Sequence, residues 1–140
     1  MVTLEPNRVF WEQTLKLPHT IHPDKLADLK TTPLVEGASE KRIITDGTRR
    51  LEFYDCEGNA NDDGPLIVHL PREKMLIEAD AFTPPPPDTV EPDLLLSILL
   101  WTKLYDNLVR LRLDVKQTVP MHGRVVSMDC FLEAVGKSPL

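Results

Sequence analysis

The stretch Gly58–Phe82, GNANDDGPLIVHLPREKMLIEADAF, decides how this chain folds. Two apolar runs, Leu66–Leu70 and Met75–Ala79, are joined by Pro-Arg-Glu-Lys. Each run is too short for a helix and is bounded by Gly, Pro or charge, so the pattern predicts a β-hairpin. Just past the second run comes Glu78-Ala79-Asp80-Ala81-Phe82. A carboxylate at the end of a buried strand is where an α/β sheet presents ligands and catalytic groups. Ahead of the first run lies a polar loop, Gly58 to Gly64, containing Asn61, Asp62 and Asp63. Loop and strand tip are candidates to face one site.

Working outward, Lys41–Thr45 and Thr48–Asp55 flank Asp46-Gly47. That dipeptide between β-rich runs signals a hairpin, because the tight turn needs positive φ. Residues 41–80 therefore read as four consecutive, mainly antiparallel strands. Upstream, Met1–Leu4 reads as a strand. Arg8–Lys16 reads as a helix with Val9, Phe10, Leu15 and Leu17 as its apolar stripe, stopped by Pro18. One helical turn is expected over Asp24–Leu29. Downstream, Pro84–Pro87 imposes an extended loop. A long helix follows, opened by Pro92 and Asp93 and running to Leu111 or Arg112. Its apolar side is expected to hold Leu95, Leu99, Leu104 or Tyr105, Leu108 and Leu111. Lys103, Asp106, Asn107 and Arg110 form the wet side. Leu94–Trp101 is apolar nearly all round, so it is either sandwiched or meets another chain. A strand Val115–Val119, a turn Met121–Arg124 and a helix Met128–Val135 complete the reading. Ser127 caps that helix and Gly136 closes it.

Composition narrows the function. One domain, 1–140, is the expectation for 140 residues, enough to bury a core. Hydrophobic residues at 41% and charged residues at 27% fit a soluble globular chain. A formal charge of −6 leaves no basic footprint, which argues against a nucleic-acid partner. Leu94–Trp101 is too short to span a bilayer, so no membrane is implied. No basic segment precedes an apolar run at the start, and a bacterial-type cytoplasmic protein is the default. Cys56 and Cys130 stand far apart without a CxxC partner and read as buried, reduced thiols. His19 and His22 sit beside prolines with no third ligand nearby, and His69 reads as a packing or surface histidine. No Gly-x-Ser-x-Gly elbow and no phosphate-binding glycine loop is present.

Three pieces now stand in order: the Gly58–Gly64 loop with its hairpin, the Glu-Ala-Asp-Ala-Phe tip, and Val-Pro-Met-His-Gly-Arg (119–124) after a long helix. Together they resemble the C-terminal half of a metallo-β-lactamase-fold hydrolase. The Leu-Pro-Arg-Glu-Lys turn before Glu-Ala-Asp resembles one bacterial branch of that superfamily. The resemblance covers Val2 to Lys137. It implies an α/β (α+β) fold: half of a four-layer αββα sandwich, with a mostly antiparallel sheet and flanking helices. It also implies site residues. Asp80 matches the bridging aspartate of the metal site and His122 its final histidine. The family's single histidine should fall in the Gly58–Gly64 loop, where this chain has Asn61. The His-x-His-x-Asp-His loop of the other half has no counterpart, and the sequence starts at what resembles the strand after it.

That departure shapes the functional expectation. A catalytic zinc takes about three protein ligands plus water, and here one carboxylate and one imidazole are inherited. Asparagine is a neutral, weak replacement for imidazole. Without a held metal no bound water approaches a neutral pKa. The favoured reading is a truncated or degenerate member, not catalytic alone, with no cofactor in the isolated chain. Its partner would be a second copy or a complementary chain covering an uncovered sheet surface. The alternatives are a metal-dependent hydrolase completed by another chain, with zinc or another divalent metal held by Asp80 and His122, and a small-ligand module using the cleft near Asp80, Asn61 and His122. Bland roles stand beside these. Asp80 would cap the following loop through Thr83 or backbone N–H groups. His122 would bond to backbone in a turn. Arg124 would pair with a nearby carboxylate or be plain surface. The substrate class is not legible from fold analogy.

Overall fold

The computed structural model describes residues 1–18, 20, 25–58, 65–86 and 95–137. Readings made above for His19, His22, Asn61, Asp62, Asp63, Pro87, Pro92, Asp93 and Leu94 fall outside them. The chain divides into two compact units, Met1–Ser39 and Glu40–Leu140.

In the first unit, β1 (Val2–Leu4) pairs in parallel with β2 (Glu36–Ala38), a strand the pattern did not announce. Between them come a 3-10 turn at Glu5–Asn7 and the helix α1, Arg8–Thr14. Its apolar stripe is not a core stripe: Val9 is 55% and Phe10 61% exposed. A Cβ at Gly37 would displace the Glu5 carboxylate, the movable end of that side chain, and would lie 3.0 Å from Glu5 Cα.

The second unit is a six-stranded sheet in sequence order. Strands β3 (Lys41–Thr45), β4 (Arg50–Asp55), β5 (Leu66–Leu70) and β6 (Met75–Glu78) form an antiparallel meander, as the runs predicted. The first turn differs in length. Thr45 pairs with Arg50, leaving a four-residue loop, and the Asp46 carboxylate accepts from the Thr48 and Arg49 amides at 2.8 and 2.7 Å. Gly47 takes φ +86° within it. After β6 the long helix α2 (Leu95–Leu111) crosses back to β7 (Gln117–Pro120), which lies parallel to β6. A short β8 (Val126–Ser127) adds antiparallel to β7. Helix α3, Met128–Ala134, follows at once, and the Ser127 hydroxyl accepts from the Cys130 amide.

Alternation sorts the sheet into two faces. Glu52, Tyr54, Ile67, His69, Leu76, Glu78 and Thr118 are buried on one. There Tyr54, Ile67 and Leu76 form one core with Leu100, Trp101, Leu104 and Leu108 of α2 and Phe131 of α3. This corrects the helical stripe read from sequence. Leu100 and Trp101 point inward while Leu99 is 46% exposed, and Asn107 is buried rather than wet. On the opposite face, Phe53, Val68, Ile77 and Val119 stand side by side across four strands, none of them buried. Among the described residues no helix is long and apolar enough to cross a membrane.

Candidate functional site

The parallel pairing of β6 and β7 puts Glu78 beside Pro120, so both strands end at one rim of the sheet. Asp80 lies two residues past the first end and His122 two past the second. Their side chains meet: His122 Nε2 is 3.2 Å from Asp80 Oδ1, and each side chain is 63% exposed.

Glu78 sets the backbone of this rim. Alternation places its side chain on the buried face beside Leu76, and it is only 3% exposed. Its Oε2 accepts from the Ala81 amide at 2.9 Å and the Phe82 amide at 3.0 Å. Its carbonyl accepts from the Met121 amide at 2.9 Å. Burial, ahead of all else, pushes the Glu78 carboxyl up to about 7; the two amides pull it down and the Asp80 charge adds to the rise. Sequence reasoning passed over Glu78, although a carboxylate in phase with buried Leu76 was the signal available. The cap expected of Asp80 is made by Glu78 instead.

Phe82 pins the segment after Asp80. It is fully buried, with edge-to-face contacts to Trp101 at 5.1 Å and Phe131 at 4.9 Å. The turn carrying His122 is tied to the proline segment. Arg124 donates from Nη1 to the Pro85 carbonyl at 2.6 Å, so it holds main chain rather than a carboxylate. Gly123 has φ +97°, and a Cβ there would lie 3.2 Å from Pro84 Cδ.

The approach to the polar loop is anchored at Glu57. Asn107 Oδ1 accepts from the Glu57 amide at 3.1 Å, while Nδ2 donates to the Glu57 carbonyl at 2.9 Å and the Lys103 carbonyl at 2.8 Å. Arg110 bridges Asn107 Oδ1, the Asp55 carbonyl and the Glu57 carboxylate. Glu57, Lys103, Asn107 and Arg110 line a shallow cavity of about 330 Å³. Every polar atom of Asn107 is engaged in holding the chain, which explains its burial.

A second ionic cluster sits further along the buried face. Glu52 Oε1 pairs with Lys41 at 3.0 Å and Arg50 at 2.6 Å, and Oε2 accepts from the Tyr54 hydroxyl at 2.5 Å. Burial pushes the Glu52 carboxyl up, but the Tyr54 hydroxyl and Lys41 outweigh it, and the net shift is downward. His69 is buried, with Nε2 3.2 Å from the Asp114 carbonyl and Nδ1 3.7 Å from Glu52. It closes the sheet against the segment after α2 and stands apart from Asp80.

Asp80 and His122 stand at the spacing of an imidazole–carboxylate ion pair, which is also close to that of two donors sharing one metal ion. Zinc bonds of about 2.0–2.1 Å in a tetrahedron place neighbouring donors about 3.3–3.4 Å apart, close to the 3.2 Å observed. One hard oxygen and one imidazole suit a divalent metal. Among the described residues no group of three or more His, Cys, Asp or Glu side chains is placed to hold a metal ion.

Comparison with solved structures gives the fold. The fold matches a metallo-β-lactamase from Pontibacter korlensis over 96% of this chain and 55% of that one, with 20% identity and a TM-score of 0.55. It matches rubredoxin oxygen:oxidoreductase from Desulfovibrio gigas over 99% of this chain and 38% of that one, at 16% identity and TM-score 0.56. An archaeal metallo-β-lactamase superfamily protein from Sulfolobus tokodaii matches over 73% of this chain and 38% of that one, at 17% identity and TM-score 0.52. No protein-family model and no curated protein matches the sequence. The chain thus has the metallo-β-lactamase fold in part: mixed α/β, with a six-stranded, mostly antiparallel sheet and flanking helices. It spans from 38% to 55% of the length of these solved proteins.

Proposed function

We propose that this chain contributes part of a metallo-β-lactamase-like metal site, with Asp80 and His122 as two of its ligands, and is not a hydrolase by itself. The observation that carries the reading is the 3.2 Å approach of His122 Nε2 to Asp80 Oδ1 at the ends of two adjacent parallel strands. Side chains from distant points in sequence converge there on open solvent. A divalent metal, when bound in such a site, supplies a Lewis acid and an activated water. What this chain's own residues do is narrower. Asp80 offers a carboxylate and His122 an imidazole, while Glu78, Arg124 and Gly123 hold their two loops together. Donors beyond these two come from outside the described residues or from another chain.

The same reading assigns a cover to the sheet face carrying Phe53, Val68, Ile77 and Val119. An apolar face of that extent is normally packed against another layer. A second copy or a complementary chain would supply it. The unpaired cysteines agree with a reducing, cytoplasmic setting.

The test is to express the chain with zinc, iron and manganese supplied, measure metal content, and assay lactams, lactones, thioesters and phosphodiesters. Well under one metal per chain and no turnover are expected. One equivalent of retained metal together with turnover would overturn it, and would favour a complete enzyme using donors not considered above.

A further inference from the structure

We infer that Glu78 is the positioning residue of the Asp80–His122 pair, fixing both loops from one point on β6. This rests on the reading of that pair as metal ligands. Glu78 stands where it does at a cost. Glu78 is a carboxyl side chain 97% removed from solvent on a core face of the sheet. One of its oxygens is used twice, by the Ala81 and Phe82 amides, and the other, Oε1, is buried without a hydrogen-bond partner. A half-satisfied buried carboxyl is destabilising relative to an apolar residue of the same shape. The packing of β6 does not require it, since Leu76 on the same face is plainly apolar. What it achieves is geometric.

The chain must turn sharply after Glu78, because Ala79 and Asp80 leave the sheet while Ala81 and Phe82 return to the core. Both returning amides are aimed at one carboxylate oxygen. This closes a turn with Asp80 at its outer tip and its side chain in solvent. The other loop is held by the same residue's main chain: the Met121 amide, next to His122, donates to the Glu78 carbonyl. The side chain of Glu78 thus fixes where Asp80 stands, and its carbonyl fixes where His122 begins. Groups that orient metal ligands through hydrogen bonds typically alter affinity by 10–100-fold when removed. Phe82 offers a competing explanation, since its buried ring also anchors the turn. The two differ in what Glu78→Met should do.

The experiment uses the isotope-labelled full chain and two variants, Glu78→Gln and Glu78→Met. Amide exchange is followed at Ala81, Phe82 and, as an internal control, Leu104 and Leu108 of α2. Zinc ion alone is then titrated while the His122 ring resonances are observed. Glutamine keeps an oxygen that accepts both amides; methionine keeps the length and accepts neither. The expected result is that Glu78→Met speeds exchange at Ala81 and Phe82 by at least about tenfold, leaves α2 unchanged, and weakens the zinc response of His122 by about 10–100-fold. Glu78→Gln should stay within about twofold of the parent in both readouts, a rescue by the accepting side chain. Should Glu78→Met not fold, Glu78→Gln still decides: a tenfold loss there would overturn the role, because the accepting oxygen is present. An unchanged zinc response in a folded Glu78→Met chain would also overturn it and leave Phe82 as the anchor. A parent chain whose His122 ignores zinc would sink the ligand reading alone. The exchange arm then keeps the positioning role if only Glu78→Met loses protection, and rejects it otherwise.

Discussion

Cys56 shows how far one residue's surroundings set its chemistry. It is 1% exposed among core side chains, and burial, with the Asp55 and Glu78 charges, pushes its thiol up to about 12. At pH 8 its thiolate fraction is about a thousandfold below that of a thiol titrating at 9. Cys130, only partly buried, should therefore react first with a disulfide reagent in the folded chain, and Cys56 only on unfolding. The sign for stability follows. The folded chain keeps the Cys56 proton where the unfolded chain loses it, so this contribution is complete below pH 9 and is lost as pH rises towards 12. Near pH 10.5 the loss is about 2 kcal/mol. Urea unfolding of the parent and Cys56→Ala at pH 8 and pH 10.5 checks this, the variant losing less over that interval. Gly123 is the second case. Its φ of +97° and the 3.2 Å approach to Pro84 leave no relaxed place for a side chain. Gly123→Ala should cost about 1–3 kcal/mol by thermal or urea unfolding.

Among elements, the central hairpin was the most legible, because short apolar runs between charged or proline-bearing turns have few other ways to fold. The helix α2 was legible in place and length but not in orientation. Its first half carries apolar residues at 95, 96, 98, 99, 100 and 101, and such a sequence cannot say which side faces the sheet. Tertiary packing chose Leu100, Trp101, Leu104 and Leu108. Asn107 joined the buried side because Glu57 and Lys103 main-chain groups satisfy its amide, a partnership invisible to periodicity. The Asp46 loop was legible as a turn, while its four-residue length followed from a carboxylate bonding two amides ahead. Leu104→Ala should thus cost about 2–5 kcal/mol, the range for a fully buried leucine. Leu99→Ser should stay within about 0.5 kcal/mol of the parent. Denaturant unfolding of the pair checks the orientation, and equal effects would contradict it.

Across the whole molecule, Asp80 and His122 stood out in sequence because each follows a strand and each matches a motif position, and the fold brings the two side chains together. Glu78 showed in sequence only as a carboxylate in phase with Leu76; its hydrogen bonds to residues three and four ahead, and to a loop more than forty residues away, did not. The apolar sheet face belongs to this scale as well. If it pairs with a second copy or complementary chain, light scattering on the purified protein should report more than one chain per particle, and Ile77→Lys should lower that number. A stable, soluble monomer in the parent would remove the need for a cover.

On this reading, Asp80 and His122 are two ligands of an incomplete metal site. A full set of donors holds structural zinc with about 10–16 kcal/mol. Two donors, neither of them a thiolate, should hold it far more weakly, with a Kd of about 1 µM or above. Zinc affinity measured on the parent, Asp80→Ala and His122→Ala tests this most directly. A Kd in that range is expected for the parent, with at least a tenfold loss in each variant. A nanomolar Kd, or one indifferent to both substitutions, would contradict it.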